Sequence, residues 1–98
     1  MKFMIITRLK DSLYALPPAK QKEIGEAMWQ HHDKVKKEGK LEETYFLGNM
    51  KGSMAIFDMN SSEDLVHVIY EAPLLPFMDV EITPLVDVDV VRKAQAKK

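Results

Sequence analysis

Two kinds of apolar spacing alternate along this chain, and their order leaves few folds open. Residues 3–9 form a compact apolar run with aromatic and β-branched members (Phe3, Ile5, Ile6, Thr7) bounded by Arg8 and Lys10, which reads as a buried central strand. Residues 11–16 read as a loop. The Pro17-Pro18 pair forbids helix before it and suits a first helical turn, where proline's missing N–H is no loss. From there Ile24, Met28, His31 and Val35 recur at i, i+4, i+7 and i+11, with Ala27 beside them, as one core-facing helix stripe does. Gly39 is the stop signal.

Residues 42–47 and 53–59 are two further strands, joined by Gly48-Asn49-Met50-Lys51-Gly52 into a hairpin, because that linker is rich in residues that tolerate positive φ. Ser61 followed by Asp64 resembles a capping box ahead of Leu65, Val66, Val68, Ile69 and Ala72, so a shorter second helix is expected to run to about Glu71. Pro73 and Pro76 end it. Met78, Val80 and Ile82 then alternate with Asp79, Glu81 and Thr83, the period-two mark of a half-buried fourth strand. Val86, Val88 and Val90 alternate with Asp87 and Asp89, which predicts one more extended segment. It serves either as an arm for a neighbour's sheet edge or as a charged guard of its own.

The order strand, helix, strand, strand, helix, strand defines an α+β fold, the ferredoxin-like βαββαβ arrangement, with both helices on one face of an antiparallel sheet. A chain of 98 residues has room for one hydrophobic core, so residues 1–91 are read as a single domain and residues 92–98 as a solvated basic tail. The second sheet face is left bare. In so short a chain its apolar side chains can be covered only by another copy, which predicts a homo-oligomer.

Composition narrows the function classes. With 14 Lys plus Arg against 15 Asp plus Glu, the net charge of -1 creates no field that would draw nucleic acid or anionic lipid. The absence of cysteine removes disulfide and thiolate chemistry and fits a cytoplasmic setting. No apolar stretch approaches the roughly 20 residues of a membrane span, and the opening Met1 to Ile6 run meets Arg8 and Lys10 too early for a signal segment.

Several short strings together resemble a known family. They are Lys37-Glu38-Gly39, Ile56-Phe57-Asp58, Ser61-Ser62-Glu63 and above all the run from Ala72 through Pro73-Leu74-Leu75-Pro76-Phe77-Met78-Asp79-Val80-Glu81. These look like muconolactone isomerase, in the same element order over about residues 3–85. The resemblance implies a dimeric α+β barrel, two sheets packed face to face, with the isomerases themselves assembling into a ring of dimers. It also implies acidic and basic groups in the middle of the first helix, where this chain has Ala27, Met28 and Trp29. Methionine and tryptophan cannot pass a proton near neutral pH, so the chain departs from the family's pattern where the chemistry would sit.

Such a fold leaves a cleft between the first helix and the sheet, the natural place for an apolar ligand. His31 puts an imidazole on the apolar helix face, where burial disfavours its charged form; it is a candidate base, with Asp79 or Tyr45 as orienting partner. The alternative is a core histidine bonded to backbone. His32 and Trp29, further around the helix, either flank the mouth of the same cleft or, as a helix surface more often has it, lie exposed to solvent, and two adjacent histidines point apart, so no metal site is expected. Asp79 and Glu81 share a strand face, either as a catalytic carboxylate pair or as solvated charges. Met28, Tyr45 and Phe57, with Tyr14 and Phe46, offer soft and aromatic surface to a planar ligand, or else pack the sheet.

Three functions remain open from the residues. One is a cofactor-independent isomerase or lyase acting on a small cyclic or aromatic acid, with catalytic His31 and Asp79 and a pocket of Met28, Trp29, His32, Tyr45 and Phe57. The second is a non-catalytic oligomeric protein binding an apolar metabolite. The third is a cofactor-free monooxygenase, which rests on fold analogy alone.

Overall fold

The computed structural model describes residues 1–97. Strand β1 (Lys2–Leu9) is followed by a short helix α1 (Asp11–Tyr14) and the long helix α2 (Pro18–Lys37). The hairpin β2 (Leu41–Phe46) and β3 (Gly52–Asp58), helix α3 (Ser62–Tyr70), a 3₁₀ turn (Leu75–Phe77), β4 (Met78–Leu85) and helix α4 (Val88–Ala96) complete the chain. The four strands form one antiparallel sheet in the order β2-β3-β1-β4, so the chain has the ferredoxin-like βαββαβ fold expected from its periodicities.

Local chemistry sets the helix limits. Pro17 and Pro18 open α2, and Gly39, at φ 77°, closes it. The N–H of Gly39 donates to the carbonyl of Lys36, and that of Lys40 to Val35, which satisfies carbonyls that the helix end would otherwise leave bare. Helix α3 starts at Ser61, whose Oγ accepts from the Asp64 N–H at 3.2 Å. In the hairpin linker it is Met50, not Gly48 or Asn49, that takes positive φ (62°). Asn49 instead accepts the Lys51 N–H through its side chain at 2.9 Å.

Register assigns the two sheet faces. Phe3 pairs with Phe57, Ile5 with Ala55 and Ile82, and Thr7 with Ser53 and Val80, and these residues point toward the helices. There Phe3, Ile5, Val35, Leu41, Ala55, Met59, Leu65 and Val68 make the core, with Phe57, Ile69 and Val80 packed on it. The opposite parity places Met4, Ile6, Met54 and Ile56 in the middle of a face that no helix covers, flanked by Tyr45, Arg8, Glu81 and Asp79.

Three local expectations are corrected. Residues 11–16 contain a one-turn helix that buries Leu13, too short to leave a periodic signal. Ile82 is 43% exposed despite its inward parity, because it lies on the edge strand past Met78 and Val80, the β4 residues that meet the helix side. The valine-rich segment after β4 is not extended: Val88, Val90 and Val91 lie in helix α4, which runs on through Arg92 to Ala96 of the solvated basic tail, and Lys98 lies outside the described residues. The helix forms because Arg92, Lys93, Ala94, Gln95 and Ala96 are strong helix formers. Every described residue after Thr83 is exposed.

Candidate functional site

Between α2 and the sheet lies a cleft of about 530 Å³, within the size range of small-molecule sites. Its helix wall is Gly25, Met28, Trp29, His32 and Lys36, one turn after another along α2. Trp29 stands edge-on to both His32 (ring centroids 5.4 Å apart) and Phe46 of β2 (5.9 Å), so an aromatic corner joins helix to sheet. Leu41, Leu74 and Met78 extend the apolar lining.

The floor is polar. Thr7 on β1 and Ser53 on β3 lie opposite each other in register, their hydroxyl oxygens 2.8 Å apart, and the Ser53 N–H donates to Thr7 Oγ1 at 3.2 Å. Thr44 on β2 also lines the cleft, and its Oγ1 is buried with no partner among the described residues. Gly52 lets β3 approach β1 at this point. A Cβ there would stand 2.0 Å from the Thr7 carbonyl oxygen.

Of the residues singled out in the sequence, Met28, Trp29 and His32 line this cleft. His32 Nδ1 lies 3.2 Å from Asp33 Oδ1. A carboxylate can only accept, so Nδ1 carries the proton and Nε2 is left as the basic nitrogen. His31 does not line the cleft. It turns toward α3, against the backbone of Val68 and near Glu71, and burial pushes its pKa below the usual histidine value, with Lys34 adding to the shift and Glu71 opposing it.

The expected pairing of His31 with Asp79 or Tyr45 is therefore corrected. Tyr45 and Asp79 belong to the helix-free sheet face, so the sheet itself separates them from α2. Asp79 is exposed with Lys10 Nζ 3.9 Å away, and Tyr45 is 58% exposed. Glu81 shares their face and pairs with Arg8 at 3.4 Å. Phe57 points to the helix side, but into the core below the cleft. What the periodicities missed is the hydroxyl floor. Its signal was present, since Thr7 continues the Phe3, Ile5 parity and Ser53 the Phe57, Ala55 parity, and small polar residues at core parity mark a place where the core stops and a cavity begins.

Fold and site together define a ferredoxin-like α+β protein with a ligand-sized cleft between its long helix and its sheet. Residues 1–89 match the muconolactone delta-isomerase family, and the chain belongs to that family. The muconolactone delta-isomerase of Rhodococcus opacus is 29% identical over 55 residues, a stretch covering 56% of this chain and 59% of that relative, less than two thirds of its length. A crystal structure of muconolactone isomerase superposes with a TM-score of 0.77 at 24% identity, covering 89% of this chain and 90% of the other. The 5-chloro-2-hydroxyhydroquinone dehydrochlorinase of Burkholderia phenoliruptrix AC1100, solved with 2,5-dihydroxybenzoquinone, superposes with a TM-score of 0.71 at 14% identity, covering 92% and 98%. At these identities the two structures speak for the fold.

Proposed function

We propose that this protein is a cofactor-independent enzyme of isomerase or lyase type that acts on a small cyclic or aromatic acid in the helix–sheet cleft. The observation that carries this reading is His32, an imidazole on the helix wall of the cleft with the Asp33 carboxylate beside its Nδ1. A proton shift needs one group that takes a hydrogen from a ring carbon and returns it elsewhere, and imidazole does both near neutral pH. The role first assigned to His31 thus passes to His32, one residue along and about 100° around the helix. Lys36 on the same wall supplies a cation for the acid's carboxylate. The family relationship and the dehydrochlorinase fold neighbour support chemistry of this class.

The working unit is a homo-oligomer, a dimer or a ring of dimers, in which Met4, Ile6, Met54 and Ile56 meet their counterparts on a second sheet. A second reading, a non-catalytic binder of an apolar metabolite, is favoured by Met28 and Trp29 on the wall where the family resemblance implies charged groups. The two separate in one experiment. Incubated in deuterated buffer with muconolactone and a panel of hydroxylated quinones, the wild type is expected to exchange a ring hydrogen of at least one compound, read by NMR. His32→Gln should slow that exchange by about 100-fold or more, as loss of a general base does. Binding without exchange in the wild type selects the second reading, and unimpaired exchange in His32→Gln removes His32 from the chemistry.

A further inference from the structure

The hydroxyl pair on the floor of the cleft has unspent hydrogen-bonding capacity, and its arithmetic is independent of which oxygen donates. Thr7 Oγ1 already accepts the Ser53 N–H, and one hydroxyl proton is consumed between Thr7 Oγ1 and Ser53 Oγ. Two hydroxyls bring two protons, so one O–H always remains, on Ser53 if Thr7 donates and on Thr7 if Ser53 donates. Neither residue sits where a strand would place a hydroxyl for solvent. Both hold the inward parity, between the core below and the aromatic corner of Trp29 and Phe46 beside them.

We propose that the Thr7–Ser53 pair is a substrate subsite that receives a hydroxyl or carbonyl oxygen on a planar ring, while Trp29 and Phe46 take the ring itself. This rests on the reading of the helix–sheet cleft as the substrate site and adds the class of substituent that the substrate must carry. The remaining O–H donates to a carbonyl or phenolic oxygen, and Ser53 Oγ keeps a lone pair in either arrangement to accept from a ring hydroxyl, so the pair serves either. It discriminates against a ring of the same size with a methyl group there, because that ring leaves the floor hydroxyl unpaired once water is displaced.

Trp29 is the single tryptophan of the chain and stands on the cleft wall, so its fluorescence reports occupancy. Phenol and toluene, equal in size and different in one hydroxyl, are titrated into the wild type, Ser53→Ala, Thr7→Val, the two combined, and Thr7→Ser. Both probes are expected to perturb Trp29 in the wild type. Deleting both hydroxyls together, Ser53→Ala with Thr7→Val, should weaken phenol about three- to tenfold, the net worth of one neutral hydrogen bond, with toluene unchanged, whereas either single deletion leaves the surviving hydroxyl one O–H to donate. Thr7→Ser, which keeps the hydroxyl, should bind phenol as the wild type does. Unchanged toluene binding certifies that each variant retains its cleft. Phenol affinity that survives the combined deletion, or that falls in step with toluene, overturns the subsite and leaves the cleft. Failure of both probes to bind the wild type overturns the cleft as a ring site and the subsite with it.

Discussion

Ile6→Lys tests the helix-free sheet face as an interface. Ile6 sits near the centre of that face, between Met54 on β3 and Glu81 on β4, with Met4 and Ile56 in the adjoining row. In the isolated chain all four apolar residues are only half-buried, so a second sheet would cover the remainder. Half the burial of an isoleucine is worth about 1 kcal/mol, and a two-fold dimer loses it twice when the side chain is replaced. The introduced ammonium adds a larger cost, because it and the Glu81 carboxylate beside it would be taken out of water between the two sheets, at several kcal/mol of desolvation. Together these exceed about 4 kcal/mol, or roughly a thousandfold in dissociation constant. The protomer itself should tolerate the change within about 1 kcal/mol, since Glu81 lies directly across the strand pair and surface ion pairs are nearly neutral in effect. Sedimentation velocity across a dilution series reads the outcome. The wild type should sediment as a multiple of 11.3 kDa and the variant as a folded protomer at concentrations where the wild type stays assembled. A variant that keeps the wild-type assembly, or a wild type that is already monomeric, refutes the face-to-face argument.

Further outcomes follow from single contacts. Gly52→Ala should destabilise the fold by several kcal/mol in urea denaturation, because its Cβ would stand 2.0 Å from backbone, which cannot yield as a side chain does; a shift below about 1 kcal/mol would show that β1 and β3 separate easily there. Ser61→Ala removes the cap of α3 and should cost about 1 kcal/mol, a fall of roughly 4–8 °C in Tm for a domain of this size, whereas Ser61→Asp should preserve it. His31 has its pKa lowered in the folded chain, so the unfolded chain binds its proton first. Stability should therefore fall as pH drops through the unfolded value of 6.5 toward the folded pKa, and level off below it. Urea midpoints of the wild type and His31→Gln should converge in that window and part above it; parallel curves would mean that His31 is as solvated folded as unfolded.

The elements that were legible in the sequence are those whose pattern is local and long. Helix α2 was readable because two prolines, a stripe of apolar residues and Gly39 all act on the same twenty residues, and β1, the hairpin and β4 because period-two runs are bounded by turn chemistry. Helix α4 was not, since the valine alternation of residues 86–90 is compatible with a strand, while the helix formers that decide otherwise follow it at Arg92 to Ala96. The string from Ala72 to Glu81 carried the family, and the family match over residues 1–89 agrees with it.

The site divides along the same line. That Met28, Trp29 and His32 share one side of α2 is a matter of 3.6-residue periodicity, and the sequence alone determines it. Which of two adjacent histidines meets the cleft is not, because neighbours on a helix differ by about 100° and the choice depends on where α3 lies. Helix α3 takes His31, and the aromatic corner with Phe46 takes His32. Asp79 and Tyr45 were lost to the site for a related reason. Strand parity says that two residues share a face, but only the packed structure says which face the helices cover. Tertiary structure also joined Thr7 to Ser53 across 46 positions, a contact that exists only once β1 and β3 have found their register.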